Sequence, residues 1–135
     1  MSALFDPWND ASLLATRLAK QTTLLMVLVG AEQWCAKCRN LRPDFELQAN
    51  QSGNDEVWLW LDLEDHAEFI GDYLPEDLPM LIAYRGAHLL TCEVAGSEGK
   101  SIEQTITHLR FLHDYQPLSR DPGIRERLLM QDWAN

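Results

Sequence analysis

The stretch "VLVGAEQWCAKCRNLRP", residues 27 to 43, decides how this chain is read. It opens inside an apolar run, passes Trp34, sets Cys35 and Cys38 two residues apart, and reaches Pro43 five residues later. The run, "TLLMVLV" from Thr23, is short and unbroken, as expected of a strand buried on both faces. After the cysteines the chain turns polar and basic, with Leu41, Phe45 and Ala49 at spacing four, which predicts a helix. The cysteine pair therefore opens a helix directly behind a buried strand. A helix N-terminus presents unpaired N–H groups and the positive end of the macrodipole, and both stabilise a thiolate. Cys35 is expected at that terminus with a lowered pKa, Cys38 one turn in and within bridging reach, and Lys37 adds positive charge nearby. A thiolate is the attacking species in disulfide exchange. Two other readings stand beside this one. A structural zinc site needs four ligands, usually two such pairs, whereas here one pair is accompanied by Cys92 alone and by His66, His88, His108 and His113 without knuckle-like spacing. Two inert buried thiols would also explain the residues, but would leave their placement at a helix start to chance.

Working outward, Asp6-Pro7 reads as an N-cap with Pro at the first helical position, ahead of a helix over 7–20 carrying Ala11, Leu14, Ala15 and Leu18. "QSGND" is a turn and "VWLWLDL" a second buried strand. "EDHAEFIGDY" predicts a short helix with Ala67 and Ile70 facing in, and "LPEDLP" a loop. "MLIAYR" and "HLLTCEVA" flank Gly86-Ala87 as a hairpin, with Cys92 a buried packing residue. After the "GSEGK" loop, Ser101 can cap a helix carrying Ile102, Ile106, Leu109 and Leu112. The order α-β-α-β-α-β-β-α predicts an α/β domain over residues 1–115, a mixed central sheet with helices on both faces. Residues 116–135 form a C-terminal extension in which "IRERLLMQDW" can make a short amphipathic helix, covering the domain or reaching a second subunit.

A chain of 135 residues, 46% hydrophobic and 24% charged, suits one soluble globular domain. No apolar run is long enough to span a bilayer. "MSALFDPWND" does not read as a signal peptide, so a cytoplasmic protein is expected. Three cysteines in that setting argue against a disulfide scaffold and for catalysis or metal binding. The net charge of -10 argues against nucleic acid and anionic membranes as partners. The acids concentrate between Asp55 and Asp77, a strip free of Lys and Arg, which reads as a solvated face or as a docking surface for a basic partner.

Taken together, "VLVGAEQWCAKCRNLRP", "DLPMLIAYRG" and Gly96 after "CEVA" resemble the thioredoxin family over roughly residues 7–115. The resemblance implies a thioredoxin-like three-layer α/β/α sandwich and a redox-active Cys35–Cys38 pair. It implies a cis Leu78–Pro79 bond, with Pro79 beside the cysteines and Leu78 offering backbone hydrogen bonds to an extended substrate segment. Trp34 and Gly96 would border the same surface. It implies client proteins with disulfides as partners and no small-molecule cofactor. With no second Cys-x-x-Cys, electrons would come from a thioredoxin-reductase-like protein or from glutathione.

The departures are equally specific. Ala36-Lys37 replaces the usual Gly-Pro between the cysteines, and a less reducing centre is expected. The family's buried Asp falls on Val29, and the Lys that accompanies it aligns with Trp58. The proton acceptor for Cys38 is then missing or replaced, with water or Glu32 as candidate substitutes. The family's extra N-terminal edge strand is expected to be missing. Two functions follow: a thiol-disulfide oxidoreductase, or a binding or assembly protein whose cysteines are incidental. "DLEDHAEFIGD" bears a local resemblance to hydrogenase-assembly proteins of this fold that lack the Cys pair.

Overall fold

The computed structural model describes residues 4–53, 55–70, 75, 77–96, 101–111 and 121–130. Its elements run α1 (Ala11–Leu18), β1 (Leu24–Gly30), α2 (Ala36–Asn50), β2 (Glu56–Asp62), α3 (Ala67–Ile70), β3 (Met80–Arg85), β4 (His88–Val94), α4 (Ile102–Arg110) and α5 (Ile124–Met130). The sheet order is β2-β1-β3-β4. β1 pairs parallel with β2, from Leu24 opposite Glu56 to Gly30 opposite Asp62, and antiparallel with β3. β4 completes the hairpin, with a register shift at Ala83/Tyr84. Every residue of β1 is buried, which is why its sequence shows no alternation. Gly86 turns the hairpin at a φ of +56°, where a Cβ would lie 2.2 Å from the Gln21 carbonyl oxygen.

Alternation along β2 separates the two faces of the sheet. Trp58 points to the side where Phe45 of α2 meets its ring at 5.0 Å, and Arg110 of α4 lies over that ring and pairs with Glu56 at 2.9 Å. Tyr84, on the opposite face, donates its hydroxyl to Asp121 at 2.5 Å, ahead of α5. The result is the expected mixed sheet between helical layers. The Ser101 cap is reciprocal, its hydroxyl accepting from the Gln104 N–H while the Gln104 side chain accepts from the Ser101 N–H.

Several local expectations shift. The first helix begins at Ala11, because Asp6 spends its carboxylate on the Trp8 N–H and the Asn9 amide in a turn over residues 7–9. In α3 it is Phe69 and Ile70 that are buried, while Ala67 is exposed. Of the predicted N-terminal edge strand's absence, one exception remains: Phe5 makes a single parallel bridge to Leu59, its N–H donating to the Trp58 carbonyl at 2.9 Å. In the tail, Ile124 and Leu128 are fully buried in the core, and Arg125 donates to the Leu18 carbonyl at 2.9 Å. The described part of the tail therefore covers the domain. Leu112 lies outside the described residues.

Candidate active site

The chain leaves β1 at Gly30, turns through residues 31–34, and enters α2 with Cys35 as its N-cap. Cys35 and Cys38 are joined in a disulfide, with Cα atoms 5.3 Å apart. The Cys38 N–H donates to the Cys35 sulfur at 3.2 Å, so the outer sulfur occupies the acceptor position that an N-cap oxygen would take. Cys35 is half-buried and Cys38 is fully buried. Lys37 is exposed one position before Cys38, and Trp34 stands 61% exposed beside Cys35. Pro43 lies inside α2.

The turn is braced from below. Asp62, at the end of β2, is only 6% exposed and accepts from the main-chain N–H of Glu32 at 3.0 Å, Glu64 at 2.9 Å and Asp65 at 3.4 Å. Burial acts to raise its pKa, but these three donors and the neighbouring His66 outweigh it and hold the carboxyl below its ordinary 3.8. Asp62 is therefore a structural member of the acidic strip, and Glu56 is another, taken by Arg110 and the Trp58 indole. Glu64, Asp65 and Glu68 are exposed, as a solvated face requires.

Val29 is fully buried opposite Leu61 and Met80. Trp58 lies on the other face of the sheet, so the residue aligned with the family's accompanying Lys is not beside Val29. Trp60 is the tryptophan against the cysteines. A Cβ on Gly30 would lie 2.8 Å from Trp60 Cη2 and 3.2 Å from Cys38 Cβ, so only a glycine lets the indole and the cysteine both close on this point under the turn. Arg42 stacks over Trp60 at 4.8 Å and holds Glu32 and Glu46. The Glu32 carboxylate, named above as an acceptor for the Cys38 proton, is thus engaged by Arg42.

A groove of about 570 Å³ runs past the outer sulfur. Trp34, Cys35 and Lys37 line it from the α2 side, and Leu63, Pro75, Asp77 and Leu78 complete it. The Leu78–Pro79 bond is cis. Pro79 is buried, its carbonyl accepting from the Ala95 N–H at 2.8 Å. The Leu78 N–H donates to its neighbour's carboxylate, Asp77 Oδ1, at 2.8 Å. Gly96 has a φ of +80° in open space and is not among the described residues that line the groove. Cys92, expected to be buried, is half-buried on β4, packed against the core and outside the Cys35–Cys38 disulfide. No signal in the sequence marks Leu63 or Asp77 as groove residues; the prolines of "LPEDLP" and the resemblance at Leu78–Pro79 point to that wall.

No protein-family model matches the chain, and no curated protein matches its sequence. Solved structures do match its fold. Oxidised thioredoxin O1 from Arabidopsis thaliana superposes with a TM-score of 0.58 at 15% identity, covering 84% of this chain and 100% of that one. The N21Q mutant thioredoxin from Halobacterium salinarum NRC-1 gives 0.56 at 16% identity, covering 78% and 88%. The zinc-bound form of human ERp44 gives 0.57 at 20% identity, covering 82% of this chain and 30% of that one. The chain is a thioredoxin-fold protein that carries a Cys-x-x-Cys disulfide at the head of its second helix. At 15–20% identity the likeness is one of fold.

Proposed function

We propose that the protein is a thiol-disulfide oxidoreductase that exchanges its Cys35–Cys38 pair with disulfides of client proteins. The unequal exposure of the two sulfurs carries the reading: Cys35 borders the groove at a helix N-terminus, and Cys38 is buried behind it. In the reduced protein, the Cys35 thiolate attacks one sulfur of a client disulfide. A Cys35–client disulfide forms and the other client sulfur leaves as a thiolate. Cys38 loses its proton and attacks the Cys35 sulfur; the second client thiolate leaves and the internal disulfide closes. Two electrons pass to the client, and its two thiolates take up two protons. Trp34 and Leu78 shape the surface that receives the client, and Lys37 adds positive charge beside the thiolate. We place this cycle in the cytosol, with a thioredoxin-reductase-like protein or glutathione restoring the dithiol.

The rival, a binding or assembly protein that makes no use of its cysteines, is favoured by Val29 standing where the family has a buried carboxylate. A redox titration in glutathione buffers, with thiols counted by alkylation and mass, separates the two. The oxidoreductase loses two thiols together, at Cys35 and Cys38, at an accessible potential. Cys35→Ser then abolishes reduction of a peptide disulfide and Cys38→Ser accumulates a mixed disulfide. A pair that stays locked across the range, or a cellular role that survives Cys35→Ser, would establish the rival.

A further inference from the structure

The groove wall opposite the cysteines carries a carboxylate, that of Asp77. Asp77 is exposed, lines the groove, and spends one carboxylate oxygen on the N–H of the next residue, Leu78. Asp77 has no other hydrogen bond or ion pair among the described residues. Pro79 has no N–H and its carbonyl is taken by Ala95, so the Leu78 N–H is the main-chain donor of this wall next to Pro79. It is occupied by the protein's own side chain.

We propose that Asp77 selects clients whose cysteine lies beside a basic residue, by capping the Leu78 N–H until a client displaces it. This rests on the reading that the groove receives the client disulfide. An extended client segment needs a donor for its main-chain carbonyl and takes the Leu78 N–H. The carboxylate is then released against a surface the client is drying, beside Leu63, Leu78 and Trp34. A carboxylate that loses both its hydrogen bond and its water is penalised, and a client Arg or Lys restores the lost partner. A neutral or acidic client leaves it unpaired and is disfavoured. Lys37 on the other wall sets the opposite preference, so the groove reads charge in a fixed direction along the client.

The experiment measures reduction rates for peptide disulfides that differ only in the residue flanking the cysteine: Arg, Gln or Glu. The wild-type protein is expected to reduce the Arg peptide about fivefold faster than the Gln peptide, the effect of a partly exposed ion pair. Asp77→Asn keeps an oxygen that can cap the N–H but removes the charge, so the Arg preference should vanish. Asp77→Ala removes the competitor for the N–H, so the Gln peptide should be reduced faster than by the wild type. Glu68→Gln, an exposed acid outside the groove, should keep the preference and so separates Asp77 from attraction by the net charge of -10. Reduction of the Cys35–Cys38 disulfide by dithiothreitol reports an intact site in every variant. Arg and Gln rates within twofold of each other in the wild type, or a preference that survives Asp77→Asn, overturns the selection. If no peptide is reduced while dithiothreitol still opens the disulfide, the oxidoreductase reading fails and this proposal fails with it.

Discussion

Asp62→Asn tests whether the turn carrying Trp34 and Cys35 is held by a buried charge. Asp62 Oδ2 takes the Glu32 N–H, while Oδ1 takes those of Glu64 and Asp65. An Asn has one acceptor oxygen. If it serves Glu64 and Asp65, its NH2 faces the Glu32 N–H, donor against donor. At least one hydrogen bond to a charged group is lost at a site only 6% exposed, a cost of about 1.5–3 kcal/mol at neutral pH. The effect depends on pH in a fixed direction. The folded-state pKa of Asp62 is lowered from 3.8, so its carboxylate contributes stability that is present above that value and lost as pH falls through the folded pKa. Urea unfolding of the oxidised protein and the variant, from pH 7 down past pH 3, should therefore give curves that differ by about 2 kcal/mol at neutrality and converge in acid. A difference that stays constant into strong acid, or one below about 0.5 kcal/mol at pH 7, refutes the brace.

Three further outcomes follow from the packing. Gly30→Ala places a methyl 2.8 Å from Trp60 Cη2 under the stacked Arg42, and should cost about 1–3 kcal/mol in urea unfolding with a change in indole fluorescence. Leu128→Ala should cost about 2–5 kcal/mol, because this tail residue is fully buried; a cost near zero would mean that α5 does not belong to the core. Tyr84 is buried and its hydroxyl faces the Asp121 carboxylate, and both raise its pKa well above the ordinary 10.0. Its proton is then held in the folded state but released in the unfolded one, so stability falls as pH rises past 10, and Tyr84→Phe should flatten that fall.

What the sequence made legible were features of period and punctuation. β1 and β2 announced themselves as unbroken apolar runs, α2 by spacing four, the hairpin by Gly86, and the cysteine pair by its place between strand and helix. What stayed hidden depended on register and on partners distant in sequence. Nothing in "VWLWLDLEDHAEF" tells Asp62 from Glu64 or Asp65. Only the pairing of Gly30 with Asp62 sets that carboxylate under the Glu32 N–H. Likewise, Trp58 and Trp60 share a face, but Trp60 meets Cys38 because it lies one pleat nearer the strand's end. Asp77 read as one acid among many, since its role arises from a bond to its own neighbour's N–H.

The departure at Val29 asks what receives the Cys38 proton, and Val29→Asp puts the question directly. Val29 is fully buried, paired with Leu61 and Met80, and the Glu32 carboxylate is engaged by Arg42. A carboxylate introduced there would stand among apolar side chains and should cost about 3–5 kcal/mol at pH 7. Burial would raise its pKa, so the penalty should grow as pH rises from about 3.9 through the folded-state value. Peptide reduction should not accelerate. In the proposed exchange, the first client sulfur leaves as a thiolate, which is itself a base beside Cys38. Proton transfer from Cys38 to that thiolate, directly or through water, needs no carboxylate, and without one no like charge opposes the Cys38 thiolate. Stopped-flow reduction and urea unfolding of the variant decide the matter together. Faster exchange with unchanged stability would mean that the site lacks a base it needs; slower or equal exchange with the expected loss means that the apolar packing around Val29 and the proton balance were settled as one.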